Sequence, residues 1–311
     1  MEPDPLSTLY SQHRDHLWGI AYRMTGNAAD AEDLVQDTFR RALERPPADL
    51  QRSLRPWLAT ITTRLSIDSL RRRKTRARLG PWLPSPVQTT AGAPLGSLAG
   101  ETDPETNYGL LESVTFAFLL ALESLSEQQR AALVLRDVLG YSGREVGDML
   151  ATSPANIRVL LHRARACLAS YREYRQPPSP ACVQRARDAL QRLMATVLAG
   201  DPEQVLACLA NDCQFASDSG GEYSAAHRLV FGAQNVTRLL LGLASKGPQP
   251  ITMTECICNG FSSFFYTRAA RRPRDAPRVW LSIEIDAQGQ ITRIHSVLAN
   301  DKLTSFPEMP A

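Results

Sequence analysis

The sequence has few of the features that announce secretion, membrane insertion or metal chemistry. No apolar run approaches the ~20 residues a helix needs to span a bilayer. The opening MEPDPLSTLY has no basic segment followed by an apolar stretch, so neither a membrane span nor a secretory leader is expected. Cysteine is sparse. The six in the chain, Cys167, Cys182, Cys208, Cys213, Cys256 and Cys258, are spaced as neither a disulfide framework nor a paired CxxC zinc site. They are expected to be reduced thiols of a cytoplasmic protein. Cys256 and Cys258 would share one face of a strand, where a metal or redox role is the alternative to plain burial. Charge of one sign is lacking too: the net charge is +3, and no global positive field forces a nucleic-acid reading.

The local distribution of charge is another matter. RLSIDSLRRRKTRAR, from Arg64 to Arg78, holds seven basic residues and one acid, Asp68. Such a block counts for more in polyanion binding than the average does. The rest of the composition, 43% hydrophobic and 22% charged, is that of a globular protein, and 311 residues suffice for two or three domains.

Apolar periodicity divides the chain. Residues 5–78 read as helical, with Ala31, Leu34, Val35, Thr38 and Ala42 at helical spacing before the RPP stop. A second helix opens near Ser53, with Pro56 in its first turn. Residues 79–107 are rich in Pro, Gly, Ser and Thr without an apolar period, and read as a flexible linker. Helical pattern resumes over 108–172 and breaks at RQPPSPA. Residues 181–311 read as helices followed by strand-like runs, CQFAS, ITMTECICN, SSFFYTRA, RVWLSIEID and ITRIHSVLA, with DAQGQ as a hairpin turn. The expected fold is multidomain: two all-α domains followed by an α+β domain with an antiparallel run.

The second all-α segment carries the sharpest local signal. SGREVGDML has Ser142 and Glu145 at capping-box spacing. A short turn follows, and Ser153 with Pro154 supply an N-cap and N1 for SPANIRVLLHRARACL. Ile157, Leu160, Leu161, Ala164 and Leu168 fall within one apolar arc at 100° per residue. The opposite side has no acid between Ser153 and Leu168. A capped helix, a turn and a basic second helix describe a helix-turn-helix that enters the major groove N-terminus first. Ala155, Asn156, Arg158 and Val159 would reach base edges, with His162, Arg163 and Arg165 further along on phosphates. A basic helix in a bundle that touches no DNA is the bland alternative.

In the first segment, Arg64, Asp68 and Arg72 are spaced i,i+4, so a surface salt-bridge ladder explains one or two arginines. It does not explain Arg71, Arg72, Arg73 and Lys74 in a row, where like charges repel unless an anion neutralises them. The face formed by Asp33, Gln36, Asp37 and Arg40 is a candidate third surface, or an ordinary solvated helix face.

These residues resemble a bacterial RNA polymerase sigma factor of the extracytoplasmic-function (ECF) type. DAEDLVQDTF resembles the region 2 segment that docks on the polymerase. WLATITTRLSIDSLRRRKTR resembles the helix that contacts and melts the promoter −10 element, with Arg64 where the family commonly has Asn. LESLSEQQRAALVLRDVLGYSGREVGDMLATSPANIRVLLHRARACL is similar to region 4, whose second helix reads the −35 element. The resemblance implies promoter DNA and the polymerase core (β′ clamp helices and β flap) as partners. It implies no cofactor and no catalysis, and capture of unstacked bases near PPADLQRS.

Residues 181–311 resemble a SnoaL-like, cone-shaped α+β domain fused to one ECF subgroup. GPWLPSPV (with Trp82, Leu83 and Pro84) is similar to that subgroup's linker motif WLPEP, with Ser85 in place of Glu. DSGGE (Asp218, Gly220, Gly221) resembles DGGGK, with Ser219 and Glu222 differing. ANDKL resembles NPDKL and keeps Asp301, Lys302 and Leu303. The resemblance implies regulation in cis through these residues. Two other readings stay open: a ligand-sensing helix-turn-helix regulator with the tail as sensor of an unknown small ligand, and a DNA-tethered enzyme using Asp212, Asp218 or His227 as acid or base. Fold alone does not choose between them.

Overall fold

The computed structural model describes residues 5–47, 53–74, 80–89, 109–174, 177–246, 250–270 and 272–307. Arg76, Arg78 and most of the PPADLQRS loop lie outside them. The chain divides into two compact units, Met1–Ala77 with Thr89–Arg175, and Arg78–Gln88 with Gln176–Ala311.

Among the described residues, the regular elements of the first unit are all helices. Its opening three helices are α1 (Pro5–Thr25), α2 (Ala28–Glu44) and α3 (Leu54–Lys74). Asn27 caps α2 by accepting from the amides of Ala29 and Asp30 at 2.9 and 3.1 Å, which satisfies two of the donors every helix start leaves open. Leu17, Ile20, Ala31, Val35, Leu58 and Leu65 form the apolar interior. The buried hydroxyls of Thr38 and Thr62 join α2 to α3 at 3.0 Å.

Then come α4 (Phe116–Leu122), α5 (Glu127–Leu133) with a π turn at Val134–Val138, α6 (Gly143–Met149), α7 (Pro154–Cys167) and α8 (Ala169–Tyr174). The sequence treats 5–78 and 108–172 as modules on a loose tether, whereas their described parts pack into one unit. Two buried arginines hold them together. Arg23 of α1 donates to Ser113 Oγ at 2.7 Å and to the Leu110 carbonyl at 3.1 Å. Arg130 of α5 donates to the carbonyls of Met24 and Leu122 at 2.8 and 2.6 Å. Burial pushes the Arg23 guanidinium down to about 10, which still leaves it charged near neutrality. Its hydrogen bonds to carbonyl and hydroxyl oxygens replace lost water.

The second unit starts with α9 (Pro180–Ala199) and α10 (Pro202–Cys208), followed by β1 (Leu209–Asp218), β2 (Val230–Phe231), α11 (Ala233–Lys246), β3 (Pro250–Cys258), β4 (Phe261–Arg268), β5 (Arg278–Ile285) and β6 (Ile291–Val297). The six strands form one sheet in the order β2-β1-β6-β5-β4-β3. Leu190 and Leu193 of α9 and Val236 and Leu240 of α11 share a core with Phe215, Leu281, Ile283 and Ile294 of the sheet.

This is the expected α+β class, but the strands are not wholly antiparallel: β1 pairs parallel to β6, with Phe215 opposite Ile294. The helix α11 and the short β2 are also absent from the sequence reading. The DAQGQ turn forms as expected, with Asp286 Oδ1 accepting the amides of Gln288 and Gln290, both at 2.9 Å.

Residues 80–88 belong to this second unit, so the segment read as linker divides. Its first part packs on the sheet as a strap, and residues 90–108 lie outside the described ones. Leu83 through Val87 are all buried. The strap is fixed near the end of β1 by Asp218 and at the turn between β3 and β4 by Asn259, whose side chain and backbone both bond Val87 at 2.9 Å.

Candidate nucleic-acid interface

The helix-turn-helix assembles from its caps. The Ser142 amide donates to Glu145 Oε2 at 2.7 Å, and the Glu145 amide donates back to Ser142 Oγ at 3.2 Å. Those bonds to Ser142 hold the Glu145 carboxyl below its ordinary range. The turn to α7 is tight: a Cβ on Gly147 would meet the Thr152 carbonyl oxygen at 2.8 Å, and Ala151 takes φ +52°. Ser153 then caps α7 through the Asn156 amide at 3.2 Å.

Ile157, Leu161, Ala164 and Leu168 are buried, and this orients the rest of α7. Ala155, Asn156, Arg158, Val159, His162 and Arg163 are exposed, Val159 by 45% despite its apolar side chain. The Asn156 side-chain amide rests on Thr152 Oγ1 at 2.9 Å. A concavity of about 400 Å³ is lined by Arg158, Leu161, His162, Arg165 and Ala166. Arg165 departs from its neighbours. It is half-buried, and its Nε and Nη2 grip the two carboxylate oxygens of buried Asp137 at 2.8 and 2.6 Å. A fork committed to a carboxylate has little left for a phosphate.

The basic block on α3 is also divided. Arg71, Arg72 and Asp68 are exposed, with Arg71 and Asp68 paired at 3.4 Å. Arg64 donates Nε to the Met149 carbonyl at 3.1 Å. Arg73 is half-buried, with Nη2 2.6 Å from Glu123 and Nη1 donating to the Thr25 carbonyl. Lys74 pairs with Glu127 at 2.7 Å. Thus three basic side chains of α3 are bound by α4–α6 and the residues that join them. On α2, Asp33, Gln36 and Arg40 are exposed and Asp37 is half-buried. Arg40 bridges Asp37 and Glu44 at 3.1 and 3.2 Å. Leu43, exposed by 54%, extends the same face by one turn and was not singled out from the sequence.

Comparison with known proteins accounts for these two helical regions. Residues 9–76 match the family Sigma-70 region 2, and residues 115–168 match Sigma-70, region 4. The chain is 39% identical over 246 residues to the ECF RNA polymerase sigma factor SigJ of Mycobacterium tuberculosis, covering 76% of this chain and 72% of that one. It is 35% identical over 220 residues to SigG of the same species, covering 62% of this chain and 56% of that one. The crystal structure of M. tuberculosis SigJ superposes with a TM-score of 0.73 at 30% identity, over 96% of this chain and 99% of that chain. The chain belongs to the ECF sigma factors.

The second unit of this sigma factor gathers a cluster of its own. Asp218 and Lys302, both 6% exposed at the side chain, form an ion pair at 2.5 Å. The Lys302 ammonium donates to the Leu83 carbonyl at 2.6 Å and sits 4.7 Å from the centre of the Trp82 ring. The other side of the pair holds the strap too, since the Leu83 amide donates to Asp218 Oδ2 at 2.8 Å. Gly220 donates to Asp218 Oδ1 at 3.0 Å and needs to be glycine, because its φ is +60° and a Cβ would press on Ala299 at 3.2 Å. Gly221 follows at φ +84°. Pro84 and Leu303 are buried beside these groups, and Asp301 is exposed. The strap contacts of Asn259 and Cys258 were not legible in the sequence, because a backbone pairing across more than 150 residues leaves no local pattern.

The acid/base candidates of the second unit are not gathered. Asp212 and Asp218 are six residues apart on one strand, about 20 Å. Asp212 and His227 are exposed, and Asp218 is engaged by Lys302. A titratable pair not foreseen does form: His295 Nε2 lies 2.9 Å from Glu284, with Arg293 at 3.3 Å. Burial would raise the Glu284 carboxyl, but His295 and Arg293 outweigh it and hold it low.

Proposed function

We infer that this sigma factor directs RNA polymerase core to its promoters through two DNA readers and one docking face. On this reading α7 reads the −35 element with Ala155, Asn156, Arg158 and Val159, while His162 and Arg163 position phosphates. The −10 element falls to Arg64, Asp68, Arg71, Arg72, Arg73 and Lys74 of α3. Asp33, Gln36, Asp37 and Arg40 of α2 dock on the β′ clamp helices, and region 4 docks on the β flap. The second unit regulates in cis through Trp82, Leu83, Pro84, Asp218, Gly220, Gly221, Asp301, Lys302 and Leu303, and acts in the cytoplasm without catalysis.

The observation that carries this reading is the division of α7 into a buried apolar arc and an exposed face of Asn, Arg, Val and His. Asn and Arg match the edges of adenine and guanine, and Val matches the methyl of thymine. The pairing of Arg73, Lys74 and Arg64 within the first unit adds a requirement. These side chains are engaged by Glu123, Glu127 and Met149, so DNA must displace those partners. Such a protein should bind duplex poorly alone and gain affinity once polymerase holds its regions apart.

The experiment is transcription by purified core polymerase with and without the full chain on a library of randomised promoters. Start sites preceded by two selected elements are expected only when both proteins are present. A footprint by the chain alone on palindromic duplex, with no promoter used, would overturn the reading in favour of a stand-alone regulator.

A further inference from the structure

The second unit contains a thiol pair that promoter recognition does not use. Cys256 and Cys258 lie on β3, one of the two edge strands of the sheet, with their sulfurs 3.7 Å apart. Cys258 is buried, and Cys256 is half-exposed. The Ser263 hydroxyl stands 3.3 Å from the Cys256 sulfur. The same stretch carries the strap: Gln88 forms a β-bridge with Cys258, and Asn259 holds Val87 through two bonds. The thiol pair and the strap's anchoring contacts therefore fall within four consecutive residues, 256–259.

The surroundings divide the roles. Hydrogen bonding from the Cys258 thiol, outweighing burial, lowers the Cys256 thiol, and Ser263 assists. The Cys258 thiol is pushed up by its bond to Cys256 and by burial. The accessible sulfur is thus the better thiolate and the buried one its reserve, the arrangement of an attacking and a resolving cysteine.

We propose that Cys256 and Cys258 are a hydroperoxide-oxidised dithiol whose closure to an intrastrand disulfide frees the strap from β3. The Cys256 thiolate attacks the peroxide, forming a sulfur–oxygen bond as the O–O bond breaks, and the alcohol (or water, from hydrogen peroxide) leaves with a proton. The Cys258 sulfur then attacks the sulfenic acid. The S–S bond forms, the S–O bond breaks, and hydroxide leaves as water with the Cys258 proton. Two electrons pass from the sulfurs to the peroxide, with no further reactant.

Geometry links the bond to the strap. Residues i and i+2 of an extended strand lie about 6.8 Å apart at Cα, the upper limit for a disulfide. The sulfurs must approach from 3.7 Å to about 2.05 Å. Closure therefore shortens β3 between Cys256 and Cys258, at the end where Gln88 is attached to Cys258 and Val87 to the next residue, Asn259.

The full-length chain, with exposed Cys167 changed by Cys167→Ser to suppress cross-linking, is treated with limiting hydrogen peroxide and mapped by mass spectrometry and hydrogen exchange. Loss of two hydrogens from the peptide holding Cys256 and Cys258 is expected, with exchange at Val87 faster by about tenfold as its bonds to Asn259 loosen, both reversed by dithiothreitol. Cys258→Ser should stop at a sulfenic acid trapped by a 1,3-dione, with exchange at Val87 unchanged. A pair left reduced while other thiols oxidise would overturn the proposal. So would a disulfide that leaves exchange at Val87 as it was, a result available without any variant of the pair.

Discussion

Arg73 and Glu123, fifty residues apart in the chain, meet at 2.6 Å and join the last turn of α3 to the end of α4. Glu123 also takes Arg130 at 2.8 Å, so one carboxylate neutralises a buried arginine and an arginine of the basic block on α3. Glu123→Gln should destabilise the first unit by about 1.5–3 kcal/mol in denaturant, the worth of a charge-assisted hydrogen bond. It should also strengthen binding of forked −10 DNA by releasing Arg73. The carboxyl would be raised by burial, but Arg130 and Arg73 prevail and depress it. Its contribution is therefore complete above the ordinary glutamate range and is lost as pH falls through the lower folded value. Unchanged DNA binding by the variant would show that this pair does not restrain α3.

A second pH response comes from His16. Arg55 donates to its Nδ1 at 3.1 Å, and Tyr141 lies 2.8 Å from Nε2. Because arginine only donates, Nδ1 must stay unprotonated. Burial, then Arg55 and Arg23, push the imidazole down to about 3. The unfolded chain takes up this proton first, so stability is full above the ordinary histidine range and declines as pH falls from there toward about 3. The slope is at most about 1.4 kcal/mol per pH unit, reduced by solvent at the half-buried ring. His16→Asn should flatten the fall of Tm between neutrality and mild acid. A parallel curve would assign that fall to other groups.

Arg158 is exposed in the first turns of α7, where a recognition helix meets base edges. Arg158→Ala should cost about 1–3 kcal/mol at one position of the −35 element if the guanidinium reads guanine. Transcription from a panel of single-base promoter variants separates this from an equal loss on every sequence, which would make Arg158 a phosphate contact.

The turn before α7 predicts opposite signs at two positions. Gly147→Ala drives a methyl group onto the Thr152 carbonyl and should lower Tm. Ala151→Gly relieves a left-handed conformation that costs an L-residue about 1–2 kcal/mol, and should raise it. Thermal melts of the two variants decide the matter, and a rise in both would mean that the turn is not so tight.

At the strap, Lys302→Met leaves Asp218 buried without its cation, a loss of about 3–5 kcal/mol. Lys302→Met with Asp218→Asn removes both charges and should recover part of it. Hydrogen exchange at Leu83 should follow the same order, since each partner bonds one side of that residue. A double variant as unstable as the single would place the cost in lost packing.

Much of the first unit is written locally. The capping box of Ser142 and Glu145, the Ser153–Pro154 start and the apolar arc through Ile157, Leu161 and Ala164 are short-range patterns, and each forms as read. They place α7 and its outward residues before any tertiary contact is considered. The destiny of Arg165 was not legible. Its partner Asp137 lies 28 positions earlier, and nothing in the basic face distinguishes an arginine that will turn back to a buried acid.

The second unit separates the two levels more sharply. Alternation and turn chemistry by themselves determined β3 to β6 and the Asp286 turn, because a hairpin pairs neighbours. Only tertiary structure decided that β1 runs parallel to β6, that residues 83–87 lie on the sheet instead of in solvent, and that Lys302 meets Asp218 and Leu83. Those contacts join residues 79 to 219 positions apart. Their energy comes from burial and desolvated charge, quantities that no window of neighbouring residues contains.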